Sequence, residues 1–365
     1  MTEQFFIATP LNFEELALQE FKEKYCLLFP DLEVPEVNSL EGGFEVNLPI
    51  EHGFLMNHHL KIPNRILVRL EQFKCRDFPK LFKKISKMDW RKWLVGQMPT
   101  IKASCHKSRL IHTTRIEKAV VDGISKYYKG SPPKAISKEE LDIIPTTLVF
   151  IRIEEDLCTI SIDCSGEHLS KRGYKKYVNE APLRENLAAA LSYFLTRDQI
   201  PFETIVDPLC GSGTFLLEAA LFYHCNTHRS FSYQNFPMGK KLNFDHLPLK
   251  SVNMKLVGKD LDPECIKLCQ ENFKLAKLQN FQLTTANALD EKIEEYPRPL
   301  VICNPPYGIR IKQSFKFSTL LNSMLKNYSP AHWGMLIPSS ENLNYDSLSF
   351  KNGGIRVKFF HGEKL

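Results

Sequence analysis

Hydrophobic positions along the chain fall into two textures. In the first half, short runs of alternating apolar and polar residues are interleaved with helical spacings. Phe5–Ala8 reads as a strand, and a helix follows from Asn12, its first turn acidic at Glu14 and Glu15 as the helix dipole favours. Gly42 and Gly43 precede Phe44, Val46 and Leu48, an alternation that suits a hairpin strand. Arg65–Phe73 alternates in the same way. Pro79–Ile85 and Thr114–Tyr128 carry helical spacing, the second with Ile116, Val120 and Ile124 on one face. Leu148–Ile153 and Leu157–Ile162 are two alternating runs joined by Glu154–Asp156, a hairpin pattern.

After the polar, basic stretch 164–182 the texture changes. Helical spacing at Leu183–Leu195 leads to a buried strand Thr204–Val206, a Gly-rich turn and a helix Thr214–Tyr223. Strand Lys255–Gly258, helix Pro263–Ala276, and strands Phe281–Thr285, Pro299–Cys303, Trp333–Ile337 and Arg356–Phe360 follow. Strands alternating with helices predict a parallel, doubly wound α/β sheet, with the active site in the loops after the strand ends. The domain organisation expected is 1–57, a small α+β unit; 58–163, mixed helix and strand; 164–182, a linker; and 183–365, the α/β domain.

Composition narrows the class. With 365 residues, 43% hydrophobic and 25% charged, the chain is ordinary globular material of two or three domains. No apolar run approaches the roughly 18 residues of a membrane span, and the start MTEQFFIATPLNFEEL lacks the basic and apolar regions of a secretory signal. A cytoplasmic location, with no membrane partner, is expected. The ten cysteines form neither a CxxC pair nor a Cys/His ligand set, so free, mostly buried thiols and no metal are expected. The net charge of +6 is unevenly spread: residues 1–60 carry about −9, residues 61–138 about +15, and the rest about zero. That basic block is interleaved with Phe73, Phe78, Phe82, Trp90, Trp93, Tyr127 and Tyr128, a pattern expected of a polyanion-binding surface.

Three motifs carry the chemistry. Asp207-Pro208-Leu209-Cys210-Gly211-Ser212-Gly213 joins a strand to a helix, where glycines let the backbone approach a ligand closely. It is not a P-loop, lacking Gly-Lys-Ser/Thr, and Leu216 stands where a dinucleotide fingerprint would have its third glycine. Gly258-Lys259-Asp260-Leu261-Asp262-Pro263 ends the next strand; Asp260 suits a ribose diol, while Asp262 suits a helix cap. Val301-Ile302-Cys303-Asn304-Pro305-Pro306-Tyr307-Gly308 runs an apolar strand into a stiff turn with two N–H donors removed. There the Asn304 side-chain oxygen and the Pro305 carbonyl converge as acceptors for one planar NH₂ group, and Tyr307 offers a flat face for a base.

Asn-Pro-Pro-Tyr after an apolar strand resembles the amino-methyltransferase signature of enzymes acting on exocyclic amines of DNA and RNA and on release-factor glutamine. Together with EHLSKRGYKKYVNEAPLRENLAAAL (167–191), DPLCGSGTFLLEAA and NPPYGIRI, it resembles the THUMP-domain RNA guanine-N2 methyltransferases, most of all the bacterial large-subunit rRNA branch. The resemblance implies a Rossmann-like class I methyltransferase domain at 183–365, preceded by a ferredoxin-like domain at 1–57 and a THUMP RNA-binding domain at 58–163. It implies S-adenosyl-L-methionine as cofactor, with Asp207, Pro208, Cys210, Gly211, Ser212 and Gly213 on its methionine side, Asp260 on its ribose and Asn287 beside its adenine. Asn287 departs from the family's acidic residue but keeps an acceptor oxygen. Asn304, Pro305, Pro306 and Tyr307 become the catalytic loop.

The resemblance also implies an RNA partner, rRNA or a pre-ribosomal particle, whose backbone docks on the basic block and on Lys171–Lys176. Some members carry a second methyltransferase domain, and here a single active site is expected. Alternatives are a tRNA guanine-N2 enzyme, a DNA adenine-N6 enzyme, a protein glutamine methyltransferase and a non-catalytic assembly factor.

Overall fold

A computed structural model describes residues 1–129, 146–175, 183–197, 202–242, 244, 249–250, 254–290, 292–307 and 316–363. The chain divides into two compact units, and neither is one continuous segment. The first comprises residues 1–9, 29–169 and 229–246; the second comprises 10–28, 170–228 and 247–365.

The chain opens with β1 (Thr2–Ala8), followed by α1 (Glu14–Leu28), which belongs to the second unit. The first unit continues with β2 (Val37–Leu40), β3 (Gly43–Pro49), α2 (Ile50–His59), β4 (Arg65–Lys74), α3 (Phe78–Ile85), β5 (Thr100–His106), α4 (Thr113–Tyr127), β6 (Leu148–Glu154) and β7 (Leu157–Asp163). Its strands form one seven-stranded sheet, ordered β2-β3-β1-β4-β7-β6-β5, so strands from 1–57 and from 58–163 share a sheet. The β6–β7 hairpin turns on Glu155 and Asp156, both at positive φ, the two-residue turn that matches strand twist. Asp77 caps α3 by accepting from Lys80 N at 2.7 Å.

Three of the seven aromatics interleaved with the basic block belong to the core, and Phe78, Phe82, Tyr127 and Tyr128 are half-buried. Phe73, Trp90 and Trp93 are buried, and Trp90 Nε1 donates to the Ile85 carbonyl at 2.8 Å. Apolar area keeps these rings in the core, while Lys80, Lys83 and Lys87 remain exposed.

The second unit contains α5 (Glu185–Thr196), β8 (Thr204–Asp207), α6 (Thr214–Ala220), β9 (Lys255–Asp260), α7 (Pro263–Leu275), β10 (Phe281–Thr285), β11 (Pro299–Cys303), α8 (Phe317–Tyr328), β12 (His332–Pro338), β13 (Ser347–Asn352) and β14 (Ile355–Glu363). Its sheet runs β10-β9-β8-β11-β12-β14-β13, with β14 alone reversed and the other six strands running in one direction. From central β8 the chain proceeds outward to β9 and β10, then returns to β11 on the other side. This is the topological switch at which α/β sheets place their ligands. The buried strands β8, β11 and β12 read as nearly continuous apolar runs, as strands covered on both faces must. Among the described residues no helix is long and apolar enough to cross a membrane, and no group of three or more His, Cys, Asp or Glu side chains is arranged to hold a metal ion.

Candidate active site

The three motifs meet at the carboxyl edge of the second unit's sheet because strand register brings them there. Val206 of β8 pairs with Val301 of β11, and Asp207 pairs with Gly258 of β9. The Gly-rich turn, the acidic turn after β9 and the Asn-Pro-Pro-Tyr turn are therefore neighbours.

Hydrogen bonds tie the first two together. Cys210 N donates to the Lys259 carbonyl at 2.7 Å, and Gly211 N donates to Asp260 Oδ2 at 2.9 Å. Asp260 Oδ1 accepts from Asp262 N at 3.0 Å, so each carboxylate oxygen holds one backbone donor and keeps a lone pair for another. Asp262 caps α7 through Glu264 N at 2.9 Å. Gly213 adopts φ +86°, and a Cβ there would meet Cys269 Sγ at 2.6 Å and the Phe273 ring at 2.8 Å. Only glycine lets the turn lie this close to α7, and Asn272 Nδ2 secures it from below by donating to the Ser212 carbonyl at 3.1 Å. Pro208, Cys210 and Ser212 are buried within the turn.

Asp207 closes β8 and is almost fully buried, its Oδ1 accepting from Leu209 N at 3.1 Å. Burial pushes its carboxyl well above the ordinary carboxylate range, and the nearby Asp260 charge adds to the shift. A buried acid of this kind suits a cationic ligand group, which would restore the ionised form.

Asn287 lies just past β10, linked to this cluster by Ala286 N donating to the Asp260 carbonyl at 2.9 Å. Its own amide is occupied locally, Nδ2 donating to Asp290 Oδ1 and Oδ1 accepting from Leu289 N, both at 3.1 Å. Beside it is a cavity of about 140 Å³ whose lining includes Lys259, Asp290, Glu294 and Asn327.

Asn304 follows β11. Its Oδ1 is buried and has no hydrogen-bond partner among the described residues. An orphaned buried acceptor costs roughly 1–3 kcal/mol, so an amino group placed there is favoured by the same amount. Pro305 is buried and Pro306 and Tyr307 are half-buried. Tyr307 packs against the apolar cluster formed by β11, β12 and α8, and burial raises its phenol, keeping it neutral. Its hydroxyl accepts from Asn352 Nδ2 at 3.1 Å.

Nothing in the sequence pattern pointed to this pairing of Asn352 with Tyr307. The same holds for a buried ionic cluster behind the Gly-rich turn. Arg172 Nη2 donates to Glu218 Oε2 at 2.8 Å, Tyr174 donates to the same carboxylate, and Lys175 Nζ donates to Thr214 Oγ1 at 2.7 Å and pairs with Glu185 at 3.3 Å. Arg172 and Lys175 were expected among the backbone-docking cations. Their side chains are 1% and 2% exposed, so they anchor α6 and α5 instead. Residue 176 lies outside the described residues.

Comparison with known proteins agrees with this geometry. Residues 172–347 match the family described as RMKL-like, methyltransferase domain. The "Ribosomal RNA large subunit methyltransferase K/L" of Psychromonas ingrahamii is 26% identical over 383 residues, covering 98% of this chain and 48% of that protein. The chain thus spans about half the length of the curated relatives it matches. Among solved structures, SMU.472 in complex with SAH superposes with a TM-score of 0.78 at 22% identity, covering 100% of this chain and 99% of that one. A Listeria monocytogenes protein described as a predicted N6-adenine-specific DNA methylase gives 0.76 at 21% identity, covering 99% and 96%. These superpositions establish a class I methyltransferase fold.

Proposed function

Since residues 172–347 match the RMKL-like methyltransferase domain, we propose that this chain methylates the exocyclic N2 amine of a guanine in large-subunit rRNA, in the cytoplasm, using S-adenosylmethionine. The observation that carries the reading is the buried Asn304 Oδ1, without a partner among the described residues, near the half-buried Tyr307 ring. The rRNA substrate is supported by the name of the 26%-identical relative. Residues 1–57 and 58–163 serve in this reading as ferredoxin-like and THUMP domains that bind the RNA.

When bound, S-adenosylmethionine supplies an electrophilic methyl group. Asp207 and the turn Pro208 to Gly213 hold its methionine end, Asp260 its ribose, and the Asn287 loop its adenine. Asn304 Oδ1 and the Pro305 carbonyl accept the two amine hydrogens, returning lone-pair density to the nitrogen and aiming it. Tyr307 stacks on the base, which must leave its helix to reach the turn. Pro305 and Pro306 keep the turn rigid, so alignment does most of the work. After transfer the amine releases one proton to solvent.

The test is labelled-methyl transfer to rRNA, tRNA and DNA pools from cells lacking the protein, followed by nucleoside analysis. N2-methylguanosine in large-subunit rRNA is expected, with Asn304→Ala abolishing transfer while retaining cofactor affinity. The same product in tRNA would change the substrate, N6-methyladenine in DNA would replace the reading, and wild-type turnover by Asn304→Ala would remove the mechanism.

A further inference from the structure

We propose that the tip of the β13–β14 hairpin is a substrate clamp: Asn352 sets the plane of the Tyr307 ring, and Lys351 and Arg356 take backbone phosphates beside the target nucleotide. The proposal rests on the RNA reading above.

The register places the tip. β14 pairs with β12 from His332↔Glu363 to Pro338↔Val357, where β12 ends at the carboxyl edge of the sheet. Residues 352–356 therefore continue past the edge that carries Asn-Pro-Pro-Tyr. The middle of the hairpin is braced: Phe13 packs edge-on against Phe350 with ring centres 4.9 Å apart, and Asn12 Nδ2 donates to the Ser349 carbonyl at 3.4 Å. The tip itself turns on Gly353 and Gly354 at φ +56° and +91°, with nothing within 4 Å of where either Cβ would be. It is a fixed, narrow projection into open space.

Its two faces differ in chemistry. Side chains alternate across a strand, so Asn352 points to one face and the directly paired Lys351 and Arg356 to the other. Asn352 meets the Tyr307 hydroxyl at 3.1 Å. Lys351 and Arg356 are exposed and make no ion pair among the described residues. Like charges directly opposite on adjacent strands weaken a hairpin, and an anion between them reverses that penalty. A guanidinium beside an ammonium matches a phosphodiester, the one group an RNA strand presents at every nucleotide. A base held under the tip against Tyr307 leaves its own backbone running over the charged face.

The experiment uses the full chain, unmodified large-subunit RNA and a salt series, measuring RNA affinity, KM and kcat, with thermal melting and SAH affinity as folding controls. Lys351→Ala combined with Arg356→Ala is expected to raise KM about tenfold, hold kcat, and flatten the log K against log salt slope by roughly one per residue removed. Lys351→Arg restores the wild-type slope. Asn352→Ala is expected to lower kcat with KM held, to match Tyr307→Phe, and to add nothing to it in the double variant. Wild-type KM and slope in the cation variant, or additive losses from Asn352→Ala and Tyr307→Phe, overturn the clamp while the rRNA reading stands. A wild-type protein that neither binds nor methylates RNA overturns both.

Discussion

Asp207 and Asn304 stand at the ends of adjacent strands and hold opposite kinds of unmet demand. Asn304 Oδ1 has no donor among the described residues, whereas Asp207 is an acid that burial keeps protonated to higher pH than usual. As pH rises above the ordinary carboxylate value, the unfolded chain loses this proton while the folded protein retains it, so folding loses stability until the raised value is reached. A cationic amino group binds the ionised form, so binding releases the proton and affinity rises with pH. Calorimetric titration of S-adenosylmethionine in two buffers of different protonation enthalpy is expected to show proton release. Asp207→Asn is expected to remove that release and weaken binding by about 1.5–3 kcal/mol, the range for a hydrogen bond to a charged group. Equal proton balance in both proteins would refute the assignment.

At the scale of elements, α6 is a short helix that projects from the Gly-rich turn, and the Arg172–Glu218 pair ties it to the stretch before α5. Glu218→Gln leaves Arg172 buried without its counter-charge and is expected to destabilise the fold by about 3–5 kcal/mol in denaturant unfolding. A change within error would mean that the pair relaxes into water.

The elements next to the motifs were legible because each has a pattern of its own. β10 and β11 fall at the expected residues, and the α3, α4 and α7 boundaries agree within a residue or two. Five elements went unseen for identifiable reasons, among them β2, which has no buried residue. β5 buries only Ile101, and edge strand β13 buries only Phe350, so neither alternates visibly. α2 starts directly after Pro49 and contains weak helix formers at His52, Gly53, Asn57, His58 and His59. α8 buries Phe317, Leu320, Leu321, Met324 and Tyr328 but opens without a capping side chain. The site divides the same way. Contiguous motifs announced themselves, while Asn352, 45 residues from Tyr307, carried only the Asn-Gly-Gly signal of a turn.

For the molecule as a whole, the basic excess of residues 61–138 persists although several of its aromatics belong to the core. In the proposed reading, its lysines on and after α3 attract phosphate without reading sequence. Reversing Lys80, Lys83, Lys84 and Lys87 to Glu is expected to weaken RNA binding and to flatten its salt slope by about 0.7–0.9 for each phosphate no longer neutralised. Unchanged binding in a filter assay would move the docking surface elsewhere.

The two compact units are also interlaced along the chain. Residues 10–28 precede most of the first unit yet belong to the second, where Glu23 accepts from Tyr193 at 2.9 Å, Gln19 accepts from Arg197 at 2.9 Å, and buried Lys24 donates to the Phe222 carbonyl at 2.6 Å. Residues 229–246 are lent the other way. A recombination event that exchanged only the stretch from 183 onward between diverged genes would pair α5 with an α1 of different ancestry. Heredity therefore treats the catalytic half and a short segment near the start as one cassette, and the two are constrained to drift together although some 150 residues separate them.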